Sequence, residues 1–218
     1  MKNKWLGLAI IAAMFVLGAA TYRLMPAQMP SRWDARGEVT TYLSRFWGVW
    51  LLPTVTLGVW MLFQVLPRLD PRGENYASFL GTYRLFINVL VLFLAGVYGV
   101  TLAAALGWNM PINKLITAGV GLLFATLGNE LGRVQPNFFV GIRTPWTLAD
   151  PEVWRQTHRV GGRVMVAVGL AHIAAALLLP ETWQTGVVIM GTLIVALGSV
   201  AYSFVVWRRL QSERSSTM

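Results

Sequence analysis

Six long apolar blocks separated by short polar loops constrain this chain before anything else does. They run Trp5–Tyr22, Phe46–Leu66, Phe79–Leu106, Ile112–Gly128, Val164–Leu179 and Gly186–Trp207. About 20 apolar residues are needed for one helical crossing of a bilayer, and each block approaches that length. The fourth and fifth are short and must extend into their flanks. Charged residues are only 12% of the 218, half the roughly 25% of soluble domains, so little chain remains for a soluble domain. The expected fold is all-α: a polytopic membrane protein, a bundle of six transmembrane helices, with residues 1–218 as a single domain.

Loop charge orients such a bundle. With the N-terminus cytoplasmic, that side carries Lys2, Lys4, Arg68, Arg72, Arg84, Arg133, Arg143, Arg155, Arg159, Arg163, Arg208, Arg209 and Arg214. The other side carries Arg23, Arg32, Arg36, Arg45 and Lys114. Thirteen against five predicts both termini cytoplasmic. The first block follows two lysines and ends near Gly18-Ala19-Ala20, as a signal peptide does. Its apolar run is longer than a usual signal core, so it reads as a retained anchor. The net charge of +9 comes from arginines dispersed among short loops, a pattern that reports topology rather than nucleic acid. The chain has no Cys, which removes disulfides and thiolate chemistry.

The loop Arg23–Arg45, with Pro26, Pro30 and Gly37, is not a free helix; Trp33 and Tyr42 suit the headgroup level. The longest polar and turn-forming run is Pro136–His158, PNFFVGIRTPWTLADPEVWRQTH. Within it, Asp150-Pro151-Glu152 is a helix start: an N-cap, a proline at the first position and an acid in the first turn. On the helix that follows, Trp154 and His158 share one face, and Arg155, Arg159 and Arg163 form a second stripe. Two readings fit. The helix is a cytoplasmic recognition surface with aromatic anchors beside a titratable His, or it lies at the interface with its Trp and Arg among lipid headgroups. Upstream, Asn137, Arg143 and Thr144 either brace an irregular loop holding Gly141 and Pro145, or Arg143 binds a phosphate or carboxylate.

Inside the blocks the polar residues are Arg84, Asn88 and His172. Ionisable groups at membrane depth are costly and suggest function, but Arg84 is close enough to its helix end to snorkel. His172 either relays protons or is a neutral, hydrogen-bonded His between helices. The glycines at 96, 99, 119, 121, 161 and 162 read as close-packing points. No metal-binding, nucleotide-binding or nucleophile motif is present, so neither an enzyme nor a cofactor is expected.

The stretch Gly128–Gly162 carries Gly128-Asn129, Pro136-Asn137, Gly141–Leu148 (GIRTPWTL), Val153-Trp154 and Thr157–Arg159. On these residues the chain closely resembles the SdpI family of bacterial membrane proteins, over about residues 112–207. Residues from about 5 to 76, through Met29–Arg45 and LPRLDPRGENY, resemble the DUF1648 segment that often precedes it. Where that segment usually has His-Trp-Asn, this chain has Arg32-Trp33-Asp34, with Pro30 before and Gly37 after, so no role resting on an outer His transfers.

The resemblance implies a six-span protein of the bacterial cytoplasmic membrane that protects against a secreted, membrane-active peptide toxin met on the outer face. It also implies signal transduction, by holding a cytoplasmic repressor at the membrane. Toxin would be met by the outer loops, and the cytoplasmic segment would be an output face or latch. The motif residues it marks are Asn129, Asn137, Gly141, Arg143, Thr144, Pro145, Trp146, Trp154, Thr157, His158 and Arg159. Two further classes stay open. One is a small transporter or proton-conducting protein using Arg84, Asn88 and His172; the other is a structural protein binding membrane lipid through its Arg stripe.

Overall fold

The computed structural model describes residues 5–216; Lys2 and Lys4 of the charge count lie outside them. The long helices are α1 (Leu6–Thr21), α2 (Arg45–Leu69), α3 (Leu80–Ala105), α4 (Ile112–Leu131), α6 (Pro151–Leu178) and α7 (Glu181–Ser215), with a short α5 at Pro145–Ala149. Five of them, α1, α2, α3, α6 and α7, are long and apolar enough to cross a membrane. The remaining one, α4, is apolar in its middle but carries Asn113 and Lys114 at one end and Asn129 and Glu130 at the other.

The blocks locate the helices, and the flanks set their true lengths. The fifth block is only the far part of α6, which starts at its Asp150 cap and runs 28 residues, about 42 Å at 1.5 Å per residue. By the same measure α7, at 35 residues, is about 52 Å long. Its last turns therefore reach well past a hydrocarbon core of about 30 Å.

Helices α1, α2 and α3 pack together, as do α4, α6 and α7, and α3 meets α4. The closest pair is α4 with α6, because two glycines on each helix face each other. A Cβ on Gly121 would lie 2.6 Å from the Gly169 carbonyl, and one on Gly128 would lie 2.7 Å from that of Gly162. The seven-residue spacing on both helices keeps this antiparallel seam in register. Gly161 is closed in by Ile142 and Ser199, and Gly119 lies against Phe93. Nothing lies within 4 Å of a Cβ built on Gly96 or Gly99, so their assignment as close-packing points is corrected; Gly96 instead lines an open cleft between α3 and α4.

One two-stranded sheet stands beside the helices that the all-α expectation named. The loop after α1 is an antiparallel hairpin, β1 (Gln28–Trp33) and β2 (Val39–Ser44). VTTYLS is a β-branched, aromatic run of the kind that forms strands, and Pro30 is tolerated because a two-stranded sheet has only edges. Asp34 closes the turn: its Oδ1 accepts from the Arg36 and Glu38 N–H groups, at 2.8 and 3.0 Å. Gly37 takes φ +81°, where a side chain would be strained.

The bundle thus has a hairpin end and an opposite end, where the polar run 132–150 lies. One core, around Met14, Met25, Met29, Val49, Tyr98 and Leu102, sits beneath the hairpin. The larger core gathers Tyr76, Phe79, Tyr83, Phe86, Leu131, Val134, Val140 and Trp154 at the opposite end.

Candidate functional site

The polar run 136–158 folds as a latch that closes the larger core. Asn137 is fully buried and uses both ends of its amide. Its Oδ1 accepts from the Phe139 and Val140 N–H groups at 2.9 and 2.6 Å, and its Nδ2 donates to the Gln135 and Val140 carbonyls at 2.9 Å each. An irregular backbone beside a membrane leaves N–H and C=O groups that water or protein must satisfy. Here one amide satisfies four of them.

The receiving half of the latch comes from far away in sequence, the LDPRGENY turn after α2. Asp70 Oδ2 accepts from the Phe138 N–H at 2.9 Å and from the Tyr76 hydroxyl at 3.0 Å, while Oδ1 accepts from the Arg72 N–H at 2.8 Å. Asn75 Nδ2 donates to the Pro136 carbonyl at 2.7 Å, and Arg72 Nη2 donates to that of Leu148 at 3.1 Å. The Arg72 guanidinium also sits over the Phe138 ring, 5.1 Å from its centre. Burial, and then the bond to Asp70, push the Tyr76 hydroxyl pKa up, so it stays a donor at any ordinary pH. None of these four was expected in the site: the sequence placed them only within LPRLDPRGENY, in the DUF1648 resemblance, and Arg72 in the loop charge count. The visible signal was a dense polar turn, Asp70–Tyr76, at the same end of the expected bundle.

The second part of the latch is built on His158. Its ring stacks on Trp154, centroids 4.0 Å apart and 18° from parallel. Nε2 accepts from the Ile142 N–H at 3.0 Å, and Nδ1 lies 2.9 Å from the Trp154 carbonyl. These partners assign the proton to Nδ1 and require a neutral ring. Gly141 takes φ +111° with the His158 ring where a Cβ would stand, so only glycine fits. Trp154 Nε1 donates to the Val134 carbonyl at 2.8 Å. Both Trp154 and His158 are buried. The two readings of this face, exposed anchors or a headgroup Trp, are therefore both corrected: the face covers the core.

The third part ties the latch to α7. Thr144 caps α5, exchanging bonds with Thr147, and its hydroxyl lies 3.0 Å from Ser203 Oγ. Pro145 opens α5, and Trp146 lies on Phe204, centroids 5.0 Å apart. Asp150 caps α6 through the Glu152 and Val153 N–H groups and pairs with Arg214 at 2.8 Å. Burial would raise the Asp150 pKa, but the Glu152 N–H, the Arg214 guanidinium and the Val153 N–H outweigh it, and the net shift is downward.

A depressed carboxylate pKa adds stability above the unfolded value, and that stability is lost as pH falls through the folded one. Asp150→Ala should therefore cost about 1 kcal/mol at neutral pH, mostly through the lost cap. Arg214 is well exposed, so its ion pair adds about 0.5 kcal/mol or less. Thermal unfolding in detergent should show the same wild-type advantage from pH 7 down to about 5, shrinking only below about 4. An advantage that vanished near pH 6 would contradict this assignment.

The remaining marked residues divide. Arg143 is exposed and donates to the Phe138 carbonyl at 2.7 Å. Thr157 is buried, and its hydroxyl has no hydrogen-bond partner among the described residues. Asn129 and Arg159 are exposed and stand outside the latch. At the hairpin end, Pro30 is buried in β1 opposite Tyr42. Trp33 lines a groove of about 220 Å³ with Asn113 and Thr185, and the Asp34 carbonyl accepts from Asn113 at 3.0 Å.

Arg84, Asn88 and His172 do not converge. Arg84 and Asn88 line a cleft of about 210 Å³ with Trp60, Phe63 and Tyr83, between α2 and α3. His172 is enclosed between α4 and α7, its Nε2 3.1 Å from the Val187 carbonyl and its ring edge-on to Phe124. Among the described residues no group of His, Asp and Glu could hold a metal ion.

Residues 133–203 match the SdpI/YfhL protein family, and residues 9–57 match DUF1648, a domain of unknown function. Immunity protein SdpI of Bacillus subtilis (strain 168) is 25% identical over 214 residues, 98% of this chain and 100% of its own length. The match to the SdpI/YfhL family thus lies behind the match to DUF1648 in the chain. No solved structure matches it. The SdpI match holds the whole of Pro136–His158, α5 and the cap of α6. Asp70–Tyr76, which receives the latch, falls between the two matched regions.

Proposed function

We propose that this chain is an immunity-type protein of the bacterial cytoplasmic membrane, without enzymatic activity, that protects its cell from a membrane-active peptide toxin. The observation that carries this is the end-to-end similarity to a protein named for immunity. In this reading α4 is a sixth span, both termini are cytoplasmic, and toxin meets the hairpin end. Exposed Tyr42, Trp47, Trp108 and Trp183 at that end suit an amphiphilic peptide lying at the interface. The Asn137 and His158 side chains of the latch are buried and bonded internally, which supports a bracing role for them. Signalling through a cytoplasmic repressor would then fall to the exposed side of the latch, at Phe138 and Arg143.

The test is survival of a sensitive bacterial strain that expresses the chain, across a range of membrane-active peptides. Protection against at least one peptide is expected. Trp33→Ala should weaken it without lowering the amount of protein in the membrane. No protection against any peptide, together with saturable solute or proton flux in vesicles, would replace this reading with transport.

A further inference from the structure

Some residues singled out in the sequence take no part in the latch, and they meet in one place. Gly128, Asn129, Arg159 and Gly162 line a groove of about 370 Å³ between α4 and α6, with Arg163 and Val166. The groove exists because the α4 and α6 backbones touch at Gly128 and Gly162, so no side chain rises from its floor. Arg159 and Arg163 stand one turn apart on the same face of α6, and both are exposed.

The neighbouring cations are already engaged. Arg133 is held by Glu130, Arg155 by Glu152 and Arg214 by Asp150. Among the described residues, Arg159 and Arg163 make neither a hydrogen bond nor an ion pair. The groove therefore holds two guanidinium groups that no hydrogen bond or ion pair fixes, Arg159 acting on Glu152 only through its charge, beside an exposed amide.

Its level matters as much as its charge. A hydrocarbon core of about 30 Å takes about 20 residues of helix, and counting back from Leu178, where α6 ends, reaches Arg159. Arg159 thus stands at the edge of the hydrocarbon and Arg163 one turn inside it, near enough for its long side chain to extend to the phosphate level, while Val166 lies among the acyl chains. We propose that this groove binds the phosphate of an anionic phospholipid in the leaflet at the latch end. Arg159 and Arg163 supply the positive charge, Asn129 donates a hydrogen bond, and the bare glycine floor seats the glycerol against Val166. The inference is independent of the immunity reading and of which face of the membrane the latch occupies.

The test uses the full chain in detergent, with bound lipid counted by native mass spectrometry after incubation with phosphatidylglycerol or phosphatidylcholine. Phosphatidylglycerol should be retained in preference. At roughly fivefold for each Arg near a phosphate, the double variant Arg159→Gln/Arg163→Gln should lose about 25-fold in its affinity. Arg155→Gln, which removes a guanidinium already held by Glu152, should change affinity less than about twofold. Asn129→Asp, which puts a carboxylate in the groove, should also weaken binding and serves as the test if the double variant fails to fold. Millimolar inorganic phosphate should not displace the lipid. Equal retention of both lipids, an equal loss in Arg155→Gln, unchanged binding in Asn129→Asp, or displacement by inorganic phosphate would each overturn the proposal.

Discussion

Asn137→Ala should destabilise the protein by about 3–5 kcal/mol, because it strips partners from four buried or half-buried backbone groups at once. The Phe139 and Val140 N–H groups lose their acceptor, and the Gln135 and Val140 carbonyls lose their donor. A buried polar group left without a partner costs about 1–3 kcal/mol, and local rearrangement recovers part of that sum. For a chain of this length the loss corresponds to a fall of about 10 °C in the thermal midpoint. Tyr76→Phe removes a single hydroxyl from the same network and should cost about 1 kcal/mol. Thermal unfolding of purified protein in detergent checks both. An Asn137→Ala variant within about 1 kcal/mol of wild type would mean the loop does not rely on this amide.

Gly128→Val should be at least as damaging, for a different reason. Its Cβ would lie 2.7 Å from the Gly162 carbonyl and 2.9 Å from Met165 Cβ and the Val166 nitrogen. Two of those three neighbours are backbone, which can yield only if α4 and α6 move apart along the seam. Overpacking of this kind costs about 3 kcal/mol or more. Size-exclusion profiles should show loss of the monodisperse species, and little folded protein should be recovered from the membrane. Gly96→Ala is the matched control: nothing lies within 4 Å of its added Cβ. An exposed helical Gly→Ala change is neutral or stabilising by about 0.5–1 kcal/mol. Equal behaviour of the two variants would show that the seam is not close-packed in the folded protein.

The helices were legible because their signal is local: apolar length, the Asp150-Pro151-Glu152 start and the small residues of α4 and α6. The hairpin was not, because Pro26 and Pro30 read as breakers. The fact that a two-stranded sheet tolerates Pro is a property of its edges, and pairing with VTTYLS is not visible from either strand alone. The face of Trp154 and His158 was correctly placed by helical spacing but given the wrong surroundings. Whether such a face meets water, lipid or core depends on Tyr76, Phe79 and Val134, which arrive from other parts of the chain. For the same reason Asp70, Arg72, Asn75 and Tyr76 were missed: the first three each bond to a residue more than 60 positions away, and the Tyr76 hydroxyl, which donates to Asp70, also lies 3.3 Å from Asn137 Oδ1. Arg155 was grouped with Arg159 and Arg163 by spacing, and only its bond to Glu152 separates it from them.

The claim that Pro136–His158 is an internal latch is tested most directly by hydrogen exchange of its loop amides. In wild-type protein the Phe138, Phe139, Val140 and Ile142 N–H groups should exchange slowly, since each donates to a carboxylate, amide or imidazole. In Asp70→Ala, changed 68 positions away, Phe138 should lose its protection while Ile142, bonded to His158, keeps most of its own. Rapid exchange of all four amides in the wild type, or no change at Phe138 in Asp70→Ala, would contradict the account.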